Sequence, residues 1–267
     1  MATALGLDFG TTNTVMAVKN GSGTTSIGFD SLAGHSDSMR TCLSFMKGQQ
    51  RDILDVEAGN AAIRQFIDNP GDARFLQSIK TFAASALFQG TLIHARRHQF
   101  EDLMEVFLKR LSDYANQDFA SDYSRIVVGR PVKFAGHNPN EALATERYNT
   151  ALGRLGFPDV HFVYEPVAAA FYFAQHLQKD ATVLVADFGG GTTDYSIIRF
   201  ETHAGQLTAT PIGHSGVGVA GDHRGGDARG GDGGDAGSIG GELRAGKRTD
   251  QSGDQREEQS GRDPAGE

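Results

Sequence analysis

Residues 187–194 read DFGGGTTD and residues 8–14 read DFGTTNT. One chain therefore carries, about 180 residues apart, two copies of an aspartate, an apolar residue, glycine and paired threonines. Each copy follows a short apolar run, at 4–9 and 182–186, that reads as a buried strand. Each precedes a second strand, at 14–18 and 194–200. A glycine- and threonine-rich turn between strands exposes several backbone N–H groups on its concave side, and such a nest binds anions. Glycine lets the backbone approach a phosphate oxygen because no Cβ intervenes. Threonine hydroxyls add donors. The aspartate at each strand end would repel a bare phosphate, but it suits a hydrated Mg²⁺, which keeps waters and uses few protein carboxylates. Two facing turns would grip a polyphosphate from opposite sides, with Asp8 and Asp187 converging on the metal. The alternative is a pair of unrelated hairpins, and the matched residues of the two turns argue against it.

The rest of the chain supports a mixed α/β architecture with an internal two-fold repeat. Residues 25–29 complete a first antiparallel meander, and 207–212 a second. Apolar residues at spacings of three and four predict helices over 57–68 and 99–119. Further helices are expected over 141–155 and 166–178, the last begun by Pro166, whose missing N–H costs little at that position. Strands are expected at 125–128 and 160–164. The domain reading is a first lobe over 1–130, connecting helices and the start of a second lobe over 131–221, and a tail over 222–267. That tail holds 11 acidic and 7 basic residues, half of the net charge of −8. It has 13 glycines, lacks Phe, Tyr and Trp, and has only Ile239 and Leu243 as large aliphatics. Such a segment cannot bury enough apolar surface to offset its chain entropy, so disorder is expected there.

Composition excludes several classes. No basic footprint for nucleic acid is present. Cys42 is the single cysteine, which rules out an internal disulfide and, in the apolar stretch CLSFM, reads as a small buried thiol. No apolar run of 18 residues exists, so no membrane span is expected. The N-terminus lacks the basic start and apolar core of a signal peptide, and the expected location is cytoplasmic. Oligomeric state has no signature. GVGVAG at 216–221 matches a dinucleotide fingerprint but lacks the following helix. GELRAGKR at 241–248 lacks the Ser/Thr of a P-loop. HARRH places His94 and His98 four apart, as on a metal-binding helix, but no third ligand is near, and a solvated basic surface is the preferred reading.

The segments GLDFGTTNTVMAV and VLVADFGGGTTDYSII resemble the two phosphate motifs of the actin/hexokinase/sugar-kinase superfamily. In detail they are similar to the seventy-kilodalton heat-shock chaperones. VYEPVAAAFYF resembles that family's connecting helix, and NPGDARFLQSIKTF resembles the segment with its catalytic lysine. The four motifs occur in the family's order, and the resemblance covers about residues 3–221. It implies an actin-like ATPase fold, a duplicated ribonuclease-H-like β-meander with helices, whose second lobe is incomplete. It implies ATP and ADP as ligands with Mg²⁺ and K⁺, and hydrolysis of ATP to ADP in a chaperone cycle. Gly10, Thr11, Thr12, Asn13, Gly189, Gly190, Gly191 and Thr192 would line the phosphate site, with Thr192 also catalytic. Asp8 and Asp187 would hold Mg²⁺ through water, Asp187 also serving catalysis, and Asp194 falls where the family places a monovalent-cation ligand. Lys80 would orient the attacking water and balance γ-phosphate charge. Glu165 would act on the metal-bound or attacking water. Pro131 and Arg147 fall where the family has a proline switch and an arginine relay.

Two departures, GRPVKF near Pro131 and Tyr164 before Glu165, point to a divergent, short bacterial branch. Partners implied are unfolded-protein clients or co-chaperones, with no nucleic acid and no membrane. After about residue 221 the family's pattern stops, and a truncated or frame-shifted end is expected. Lobe II would then lack half its core, the strand edge of 194–200 and its neighbours would be uncovered, and ATP binding by this chain would be weak or absent. A sugar-type kinase of the same superfamily is the alternative function, and a non-functional fragment the other.

Overall fold

The computed structural model describes residues 4–20, 23–48, 53–136, 138–174, 176–190, 192–203 and 206–218. The expected tail 222–267 lies outside the described residues. The chain begins with a meander: β1 (Ala4–Phe9), β2 (Asn13–Asn20) and β3 (Gly23–Ser26) run antiparallel. In β1, Leu5, Leu7 and Phe9 are buried on one face, while Gly6 and Asp8 alternate onto the other. This is the period of two that a half-buried strand requires.

A set of short strands follows that periodicity could not reveal. These are β4 (Phe29–Ser31), β5 (Gly34–Ser36), β6 (Met39–Arg40), β7 (Cys42–Lys47) and β8 (Leu54–Ala58). Next come α1 (Gly59–Asp68), β9 (Arg74–Gln77) and a 3₁₀ turn over Ile79–Phe82, then β10 (Thr91–Ile93) and β11 (Arg96–His98). All eight of these strands have six residues or fewer, too few to show alternation against background. β8–β7–β9 form a sheet of their own. Cys42 is buried there, its thiol is pushed up to about 11 by burial, and its Sγ lies 3.3 Å from Gly59 O. HARRH is a β-hairpin, not a helix: His94 sits in the turn at φ 45° and His98 lies on β11.

The 99–119 helix is two helices, α2 (Phe100–Ala115) and α3 (Phe119–Asp122). Asn116 adopts a left-handed conformation at φ 51°, which asparagine tolerates at a helix end. Asp118 then caps α3 by accepting from Ser121 N–H. Beyond them lie β12 (Arg125–Arg130), α4 (Glu141–Arg154), β13 (Val160–Tyr164) and α5 (Glu165–Ala174). The described residues end with the second meander, β14 (Ala181–Phe188), β15 (Thr192–His203) and β16 (Gln206–Gly218). Among the described residues there are five α-helices in a mixed α/β fold.

The main sheet has the order β13–β12–β1–β2–β3, with β12 parallel to both β1 and β13. Helices α2 and α4 cover the face that carries Phe9. Phe9 meets Phe107 and Tyr148 edge-to-face, at centroid distances of 5.7 and 6.0 Å. In the second sheet α5 covers one face, where Ala170, Ala174, Ile198 and Phe200 are buried together. The opposite face is open: Phe188 is 75% exposed, and Leu184, Tyr195, Ile197 and Val217 also reach solvent. The expectation of an uncovered edge is therefore corrected for β15 itself, while β14 and β16 are the outer strands of this sheet among the described residues. β15 is paired on both sides, and the open apolar surface is a sheet face.

Phe107 lies at the centre of the first core with no exposed surface. Phe107→Ala is expected to lower unfolding free energy by about 3–5 kcal/mol. Urea unfolding should show the loss as a lower midpoint with an unchanged slope.

Candidate functional site

The first turn is built from Gly10 to Asn13. Gly10 N–H donates to Asn13 O at 3.0 Å, and a Cβ on Gly10 would lie 2.3 Å from that oxygen, so only glycine closes this turn unstrained. The turn is anchored from outside. Thr41 N–H donates to Thr12 O at 2.9 Å, and the buried hydroxyls of Thr14 and Thr41 meet at 2.9 Å. Thr12 and Asn13 remain exposed.

The second turn faces the first. A Cβ on Gly190 would lie 2.5 Å from Thr12 Oγ1 and 3.7 Å from Thr11 Cβ. Gly189 and Gly190 are exposed beside it, and Thr192 opens β15. Gly191 and the Thr192 side chain lie outside the described residues. The two turns read from sequence as separate motifs are thus in contact, through the absence of one Cβ.

Lys80 and Glu165 stand 85 positions apart in sequence and meet in space. Lys80 Nζ donates to Glu165 Oε1 at 2.5 Å, with the two side chains only 9% and 13% exposed. Lys80 comes from the 3₁₀ turn, entered through Ser78 in a left-handed conformation at φ 56°. Thr81 fixes that entry, its N–H and Oγ1 both donating to Ser78 O at 3.0 and 2.7 Å. Glu165 is the first residue of α5. Gly129 of β12 leaves room for it, since a Cβ there would lie 3.1 Å from Glu165 Cγ. Gly129 was not singled out from sequence as a site residue. Its signal was a glycine inside a strand pattern, which marks close approach by another group.

A cleft of about 510 Å³ is lined by Gly6, Asp8, Gly129, Glu165, Ala168 and Asp187, among others. Asp8 keeps an open side toward the cleft, yet burial raises its carboxyl above the ordinary range. Lys80 opposes that rise and Asp187 adds to it. Glu165 is likewise raised, first by burial, against the pull of Lys80, with Asp8 and Asp187 adding. Three carboxylates and one ammonium thus share one electrostatic environment, as expected of a cleft that handles charge. Among the described residues no group of three or more His, Cys, Asp and Glu side chains could hold a metal ion.

Asp194 is not among the residues that line the cleft. It faces Asp187 across the β14–β15 ladder and is 1% exposed. A Cβ on Gly216 would fall 2.4 Å from its Oδ1 and 3.1 Å from Lys133 N. Pro131 is buried at the end of β12, and Arg130 Nε donates to its carbonyl at 3.3 Å. Arg147 is engaged elsewhere, with carbonyls of the 82–88 segment.

With this geometry in hand, the family described as Hsp70 protein matches over residues 4–223. This chain belongs to the Hsp70 family. It is 28% identical over 207 residues to the "Chaperone protein DnaK" of Mycoplasma mycoides subsp. mycoides, covering 77% of this chain and 32% of that protein. It is also 28% identical over 211 residues to the "Chaperone protein DnaK" of Mycoplasmopsis synoviae, covering 77% of this chain and 31% of that protein. The chain thus spans about a third of the length of these curated relatives. No helix among the described residues of this Hsp70-family chain is long and apolar enough to cross a membrane.

Two predictions come from the charges. Lys80→Met leaves Glu165 buried without its cation and is expected to cost about 3–5 kcal/mol. Adding Glu165→Gln should recover much of that loss, and a double-mutant cycle by chemical denaturation measures the coupling. Asp8 binds a proton more tightly in the folded chain than in the unfolded one. Its contribution is fully present below the ordinary value of 3.8 and is lost as pH rises through the raised value. Asp8→Asn should therefore raise the melting temperature at pH 7. Its difference from wild type should shrink as pH falls toward 4, read from paired melts.

Proposed function

We propose that this chain binds Mg-ATP between its two glycine–threonine turns and hydrolyses it to ADP and phosphate. It would serve as the nucleotide-binding part of a chaperone-type ATPase with an actin-like fold. The observation that carries this reading is the approach of Gly190 to Thr12. Two anion-binding turns from distant parts of the chain face each other beside Asp8, Asp187, Lys80 and Glu165.

The residues present fit the group. The missing Cβ at Gly190 opens the cradle, and backbone N–H groups with the Thr11 and Thr12 hydroxyls supply donors. Gly190 faces it from the second turn, and Gly191 and Thr192 are proposed as further residues of the phosphate site. Asp8 and Asp187 would hold Mg²⁺ through waters, a donor set suited to an ion that keeps its hydration. When bound, that ion neutralises charge on the phosphates. Lys80 would orient the attacking water and add positive charge next to the transferred group, and Glu165 would act on that water and accept its proton. Glu165 suits that task because burial keeps its proton affinity above that of an ordinary carboxylate. The protein's work is positioning and electrostatic stabilisation rather than covalent chemistry. Asp194, buried on β15, is the residue on which K⁺ binding would depend. Unfolded polypeptides and co-chaperones are the proposed partners, and the cytoplasm the proposed location.

Mg-ATP should raise the melting temperature of the chain, with about 2.7 kcal/mol of stabilisation at a hundredfold excess over Kd. Gly190→Ala should weaken nucleotide binding about tenfold or more, equivalent to about 1.4 kcal/mol. ATP turnover without added sugar separates this function from a sugar-type kinase. A cooperative melt indifferent to Mg-ATP would overturn the reading.

A further inference from the structure

Arg147 lies on α4, is 8% exposed, and spends its guanidinium on one stretch of backbone. Its Nη1 donates to the carbonyls of Phe82, Ala83 and Ser85 at 2.7, 3.1 and 3.1 Å. Its Nη2 donates to Phe88 O at 2.8 Å. Its Nε lies 3.7 Å from Glu101 Oε1 on α2. These carbonyls run from the last residue of the 3₁₀ turn carrying Lys80 into the loop that leaves it. Among the described residues, beside Arg147 only the turn contacts Ser85 N–H to Phe82 O and Phe88 N–H to Ser85 O, both 3.2 Å, engage them from the backbone. The same loop is tied to α4 a second time, since Asn140 N–H donates to Ala84 O at 2.8 Å. The Phe82 and Phe88 rings stack at 4.2 Å and draw the loop closed. Next to Arg147, Tyr148 packs on Phe9 of β1 and Phe162 of β13. Helix α4 therefore seats on the main sheet with one residue and grips the Lys80 segment with the next.

We propose that Arg147 is a positioning residue: it sets Lys80 against Glu165 by gathering the carbonyls of the loop that follows. A charged planar donor is needed because several carbonyl dipoles converge on one buried point and would repel one another without it. Lysine carries the charge but not the fork, so its ammonium cannot reach the Phe82 and Phe88 carbonyls together. The consequence for hydrolysis rests on the proposed ATPase function. The placement of Lys80 does not.

The test compares wild type with Arg147→Lys and Arg147→Met, and with Arg154→Gln as a control on the same helix. Trace acetic anhydride labels lysines, and mass spectrometry reads Lys80 relative to the exposed Lys109. In Arg147→Lys and Arg147→Met, Lys80 labelling is expected to rise several-fold relative to Lys109 while the melt remains cooperative. Arg154→Gln should leave the ratio unchanged. Single-turnover ATP hydrolysis should fall about 100-fold in Arg147→Lys with nucleotide affinity preserved, as a misplaced group predicts. If Arg147→Met does not fold, Arg147→Lys and Glu101→Gln, which loosens only the arginine's orientation, give the same readout. An unchanged Lys80:Lys109 ratio in folded Arg147→Lys overturns the proposal. If wild type shows no ATP turnover, the hydrolytic reading fails, while the labelling ratio still decides the role of Arg147.

Discussion

The buried contact between Lys80 and Glu165 constrains the molecule more than any other. Neither charge can be held at roughly a tenth exposure alone, because removal from water costs several kcal/mol per ion. The pair therefore requires two distant parts of the chain to be placed together. The 3₁₀ turn must deliver the ammonium, and the first residue of α5 must deliver the carboxylate. Gly129 must stay small so that Glu165 can lie against β12. The parallel pairing of β12 with β1 and β13 brings Asp8, Gly129 and Glu165 to the same cleft.

Around that pair the site combines carboxylates that disfavour each other. Burial raises the proton affinity of Asp8 and of Glu165, Lys80 lowers both, Asp187 adds to the rise at Asp8, and Asp8 and Asp187 add to it at Glu165. Such an arrangement is unfavourable for stability by itself and becomes sensible if a cationic ligand occupies the cleft. Functional sites are where local consistency is expected to yield in this way. The facing glycine turns add the complementary half, a concentration of donors where an anion would sit.

Fold legibility followed the strength of local patterns. The runs at 4–9 and 160–164 are strands with those bounds, because apolar residues flanked by glycine, proline or polar turns leave few options. Both meanders were legible for the same reason. Residues 29 to 98 were read as little more than one helix, although they hold eight strands among the described residues, because stretches of two to six residues carry no measurable period. The helix over 99–119 was read through its break because the apolar spacing outweighed the stop signal of Asn116 and the capping signal of Asp118. What ends α2 is the backbone of Asn116 turning left-handed, and what restarts the chain is a side-chain cap. HARRH looked helical by spacing alone, and the positive φ of His94 and Ala95 makes it a hairpin.

By itself the sequence determined the two turns, the residues that line them and the strands that carry them. Those features depend on contacts within a few residues: glycine's freedom from a Cβ, threonine's hydroxyl and the alternation of a strand. The family relationship was legible in the same local motifs. Only the tertiary structure decided that Gly190 meets Thr12, that Lys80 is neutralised by Glu165, and that Arg147 serves the Lys80 loop. Each of these joins residues more than 50 positions apart. Their proximity is set by the packing of α4 and α5 on the sheets, which no local period encodes.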